Sequence, residues 1–146
     1  MERPHYEFEY AIPREVYLFA SMGRHGKVTK MVKFHMVRSD IANLGFGDCN
    51  DDGSDFDDQV ITDNGDMEMV LSTVIEITAK FLTKNPEVSV FFTGSTAARQ
   101  RLYRIIISNN FVVISKAYEV WGYWRGAWHP FEKNVNYEAF LVSKLF

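Results

Sequence analysis

Residues 87 to 107, EVSVFFTGSTAARQRLYRIII, make the chain change geometry within one short turn. Val88, Val90, Phe91 and Phe92 are β-branched or aromatic and lie between Pro86 and Gly94, which suits a short buried strand. Thr93-Gly94-Ser95-Thr96 is the turn, and the hydroxyl of Ser95 or Thr96 is placed to cap the first amides of a helix. At helical spacing Ala98, Leu102, Ile105 and Ile106 share one face, with Gln100, Arg101, Arg104 and Ser108 opposite. The expectation is a strand, a turn and an amphipathic helix with a basic outer face.

Around this unit the rest of the chain reads as α+β. Alternation of Tyr6, Phe8 and Tyr10 and the extended run 15 to 22 indicate two strands. Gly23-Arg24-His25-Gly26 turns the second into a long strand, in which Val28, Lys30, Val32, Phe34 and Met36 oppose Lys27, Thr29, Met31, Lys33 and His35. A short strand follows at 41 to 46. Val70, Val74, Ile77 and Phe81, with Leu71, Ile75, Thr78 and Leu82 in the adjoining row, predict a long helix over 67 to 84, capped by Asp66 and stopped at Asn85-Pro86. A short helix from about 110 to 117, a strand over 118 to 125, a loop over 126 to 136 and a strand over 137 to 145 complete the chain. The expected architecture is one domain over residues 1–146, with two main helices packed on one face of a mainly antiparallel sheet.

Composition narrows the function classes. A chain of 146 residues with 47% hydrophobic content can bury a core without staples, and it has no apolar run long enough to span a bilayer. No membrane association is expected. The single Cys49 and an N-terminus without an apolar signal core indicate a reducing, cytoplasmic setting. With 16 Lys+Arg against 19 Asp+Glu and a net charge of −3, phosphate binding would need a local basic patch.

Three stretches carry candidate chemistry. At Gly94, Ser95 and Thr96 a permissive backbone, helix N-terminal amides and hydroxyls suit an anion, which Arg99 can close and Arg101, Tyr103 and Arg104 can extend. Helix capping explains the same residues structurally. Residues 48 to 66 hold eight aspartates. Asp48-x-Asn50-x-Asp52-Gly53 begins a calcium-loop pattern, but Gln59 stands where the bidentate Glu belongs. Asp48, Asp57, Asp58 and Asp66 could equally pair with the arginines as a salt-bridge network. Finally, Trp121, Tyr123, Trp124, Arg125 and Trp128 form a candidate stacking platform or interface, with Trp121 and Tyr123 buried on one face of a strand and Trp124 on the other. The four histidines show no ligand spacing.

FGD at 46–48, DD at 57–58, NGD at 64–66, VLSTV at 70–74, FFTGSTAARQRLYRIII and the terminal YEAFLVSKL together resemble a bacterial domain family of unknown function, about 150 residues long. The likeness covers nearly the whole chain. It implies an intracellular bacterial protein and supplies neither substrate nor catalytic residue. The function expected is an interaction module that binds a partner protein or a nucleic acid through the basic helix face and the Trp-rich segment, with no cofactor. The alternative is a metal-dependent, nuclease-like or toxin-like enzyme acting on a phosphate-containing substrate, with a divalent metal at Asp48, Asp58 and Asp66. A homodimer joined through the aromatic segment is a third possibility.

Overall fold

The computed structural model describes residues 4–11, 16–49, 55–57 and 64–145. The elements in chain order are strands β1 Phe8–Ala11, β2 Val16–Gly23, β3 Gly26–Arg38, β4 Ile41–Cys49 and β5 Phe56–Asp57, helix α1 Met67–Lys84, strand β6 Ser89–Phe92, helices α2 Ala97–Asn109 and α3 Phe111–Ile114, and strands β7 Tyr118–Trp124, β8 Ala127–Pro130 and β9 Ala139–Lys144. The sheet is mixed and mostly antiparallel, so the class is α+β. The chain forms two compact units, one from Glu2–His35 and Leu44–Phe81, the other from Met36–Asn43 and Leu82–Phe146.

In the first unit β1, β2 and β3 are antiparallel neighbours, with Phe8 opposite Phe19 and Gly23 opposite Gly26. The tight turn at Arg24-His25 is completed by Gly26 at φ 75°. Tyr17, Phe19, Val32 and Phe34 are buried with Val70, Leu71, Val74, Ile77 and Phe81 of α1, as the two helical rows predict. Phe34 and Phe81 stack at 4.0 Å between ring centroids, a contact worth about 1 kcal/mol beyond the area it buries. β5 pairs with the end of β4, placing Asp57 opposite Asp48.

In the second unit β4 runs parallel to β6, with Ile41 opposite Ser89. Parallel neighbours need a crossover, and α1 lies in that connection. From β6 the antiparallel order continues through β9 and β7 to β8, so the last strand of the sequence lies between two earlier ones. β8 falls where the sequence indicates a loop. Its two-residue turn puts Arg125 at φ 50° and Gly126 at φ 77°, and an arginine in the left-handed region gives no turn signal. Pro130 fits because β8 is an edge strand.

The inner face of α2 is displaced from the sequence pattern. Tyr103, Ile106 and Ile107 are buried, whereas Ile105 is 36% exposed. Gln100 sets this rotation, because its side chain points inward, accepting from the Gly94 amide at 2.5 Å and donating to the Tyr137 carbonyl at 2.9 Å.

Candidate functional site

The Gly94-Ser95-Thr96 turn forms as the sequence predicts, and Thr96 is the residue that caps α2, its hydroxyl accepting from the Arg99 amide at 3.2 Å. A Cβ on Gly94 would stand 2.3 Å from the Gln100 nitrogen, so glycine is required here by the close approach of the helix backbone. Arg99 Nη1 donates to Ser95 Oγ at 3.0 Å and Arg104 Nη1 to Asn136 Oδ1 at 2.6 Å, while Arg101 is exposed. Tyr103 is part of the core, edge-on to Phe92 at 5.2 Å. Burial pushes its phenol up from 10.0 to about 12, and the positive charge of Arg99 acts the other way. The turn and its arginine therefore bind one another, and Tyr103 is buried against Phe92 of the sheet.

The acidic candidates divide. Asp48 accepts from Lys30 Nζ at 2.5 Å, and Lys30 is completely buried. Asp66 occupies the cap position before α1 through its carbonyl, which accepts from Val70, whereas its carboxylate accepts from the hydroxyls of Tyr6 and Ser21. Burial and the bond to Asp66 both raise the Tyr6 pKa. Asp57 lies in β5, and Asp58, Gln59 and residues 50 to 53 of the calcium-like pattern lie outside the described residues. Among the described residues no three His, Cys, Asp or Glu side chains gather to hold a metal ion. Burial first, and then the neighbouring charge of Asp48, raise the Cys49 thiol, which disfavours its nucleophilic form.

Two structural residues carry no local signal in the sequence. Asn64 is buried and ties down the β2–β3 turn: its Oδ1 accepts from the His25 amide at 2.5 Å, and its Nδ2 donates to the Gly26 carbonyl at 2.9 Å and to Ser21 Oγ at 3.1 Å. Lys30 reads as one member of a strand face. The carboxylate of Asp48, eighteen positions away, helps make its burial tolerable.

The Trp-rich segment is split by strand alternation. On β7 Val120 and Gly122 are buried, whereas Trp121, Tyr123 and Trp124 are all half-exposed. This corrects the expectation that Trp121 and Tyr123 are core. The covered face is the other one, because the Tyr137 ring lies against Gly122 and Phe140 packs beside it. α2 is on that same side, since Tyr103 meets Phe92, while the preceding residue, Phe91, points to the opposite face and meets Trp128 at 6.1 Å. Phe91, Leu141, Trp121 and Pro130 are in register across four strands, with Tyr123 opposite Trp128 one step along. Trp128 is 39% exposed and edge-on to Tyr123 at 5.2 Å. Trp124, on the helix side, carries the Arg125 guanidinium 4.4 Å above its ring. The basic helix and the aromatic row Phe91, Trp121, Tyr123 and Trp128 are thus on opposite sides of this unit and do not make one continuous surface.

The sequence model of a family of unknown function, DUF6934, matches residues 2–145. No curated protein and no solved structure matches the chain.

Proposed function

The chain belongs to DUF6934, a family of unknown function, and from that premise we propose that it is an interaction module that holds a partner protein on the open aromatic face of its second unit. The observation that carries this reading is the position of Trp128, partly exposed at the sheet edge and flanked by Phe91 and Tyr123. Tryptophan and tyrosine with one face on a rigid strand lose little conformational freedom on contact and dominate binding energy where they occur. Their neighbours on this face favour a protein over a nucleic acid. Ser89, Ser143 and Glu119 are in register at one end of the row, and the strand residues alternating onto it include no lysine or arginine to neutralise phosphates. Metal-assisted chemistry at Asp48, Asp58 and Asp66 draws no support from the two described carboxylates, each of which already accepts from donors in its own unit. The single cysteine is consistent with a cytoplasmic setting for such a module.

The test is affinity capture from an extract of the source cells with the wild type, Trp128→Asp and Arg101→Glu, each checked for an unchanged melting temperature. Loss of the captured protein with Trp128→Asp and its retention with Arg101→Glu is the expected result. Equal capture by the wild type and Trp128→Asp would overturn the assignment of the sheet face.

A further inference from the structure

The second unit exposes another surface, on its helical side. Between Glu87 and Glu119 the chain has no acidic residue but contains Arg99, Arg101, Arg104 and Lys116, in a protein whose net charge is −3. α2 turns Tyr103, Ile106 and Ile107 inward, so Arg101 and Ile105, one turn apart, share its outward face. Asn110 then redirects the chain, its amide bonded to Ile107 and its Nδ2 to the Ile106 carbonyl at 2.8 Å. α3 leaves Val112 70% and Val113 43% exposed, and Ile105 on α2 is 36% exposed. Arg104 meets the neutral Asn136, a contact that orients the guanidinium without cancelling its charge.

We infer that this helical surface docks an acidic protein segment presenting aliphatic side chains. Charge complementarity selects the sign of the partner, because a cationic surface without a carboxylate of its own along these helices attracts anions and repels other cationic chains. Arginine forks pair with carboxylates in a fixed geometry, and Ile105, Val112 and Val113 offer exposed aliphatic area on the same two helices. Two other anionic partners fit less well. A nucleic acid gains from exposed rings on which bases stack, and the exposed apolar side chains here are aliphatic. For a bilayer, those three side chains together carry fewer carbons than one myristoyl chain, which alone gives only marginal membrane binding.

The test is fluorescence anisotropy with a labelled peptide carrying glutamate and leucine at helical spacing, alongside a labelled single-stranded oligonucleotide, and sedimentation with phosphatidylserine vesicles. Peptide binding should be saturable, and should weaken about tenfold in Arg101→Glu, in Val112→Asp and on raising salt from about 0.05 to about 0.3 M. Trp128→Asp should leave it unchanged, which separates this surface from the aromatic sheet face. Absence of peptide binding, equal binding by Arg101→Glu, or tighter binding of the oligonucleotide or the vesicles would overturn the inference. All three substituted residues are exposed or half-exposed, so melting temperatures near the wild-type value show that a loss is local.

Discussion

The ring of Tyr137 lies directly on Gly122: a Cβ at position 122 would stand 2.2 Å from Cδ1 of that ring and 2.3 Å from Cγ. The ring cannot simply swing aside. Its hydroxyl accepts from the Glu132 amide at 2.9 Å and donates to the Pro130 carbonyl at 3.3 Å, and Phe131 and Phe140 flank it.

Gly122→Ala is therefore expected to destabilise the protein by about 3 kcal/mol through overpacking. Urea denaturation of the single variant, of Tyr137→Ala and of the double variant measures this. The two changes should be strongly non-additive, the alanine at 122 costing much less once the ring is gone. Additive costs would show that the close approach is relieved elsewhere.

Lys30 and Asp48 predict an asymmetric pair of substitutions. Removing the carboxylate leaves a completely buried ammonium without this partner, so Asp48→Ala should cost about 3–5 kcal/mol. Lys30→Met replaces the cation by an apolar chain of similar reach and leaves Asp48 partly in contact with water. Its cost should be well below that of Asp48→Ala in the same denaturation assay.

Asn64→Ala should loosen the β2–β3 turn specifically. The His25 amide and the Gly26 carbonyl lose their side-chain partner, and about 3 kcal/mol is expected for the three hydrogen bonds that Asn64 gives up. Hydrogen exchange over residues 23 to 28 should accelerate in Asn64→Ala while exchange over β7 stays slow. Uniform acceleration across the chain would point to global rather than local opening.

Tyr103 should give the protein an alkaline limit. Its pKa is raised on folding, so the folded state holds the phenol proton more tightly. The corresponding stability is complete below pH 10 and is lost as pH rises through about 12. Between pH 8 and pH 11 the wild type should lose about 1 kcal/mol more than Tyr103→Phe. An identical pH dependence in the two proteins would show that the buried phenol is not the group responsible.

Sequence patterns reported the local choices well. Two rows of apolar residues placed α1 and its buried face, Gly23 and Gly26 bracketed the first long hairpin, and the Thr-Gly-Ser-Thr turn opened α2 with a threonine cap. Each depends on neighbours a few positions apart, and periodicity or turn chemistry states those directly. β8 was illegible for the same reason in reverse, since its turn places an arginine where glycine or asparagine would have announced it.

What tertiary structure alone decided is which of two available faces is covered and which polar groups meet. Alternation separates Trp121 and Tyr123 from Trp124, yet nothing local says that the Tyr137 ring closes over Gly122 and leaves Trp121 and Tyr123 half in water. Helical spacing allows Ile105 or Tyr103 to face inward, and Gln100 makes the choice through a carbonyl 37 positions away. Lys30 is buried because a distant carboxylate is present, and Asn64 matters because a distant turn lies beneath it. The physical reason is common to all four. Local sequence sets the preferences of a segment at a fraction of a kcal/mol per residue, whereas burial and partner choice arise from contacts between segments that are far apart in the chain and each outweigh those preferences.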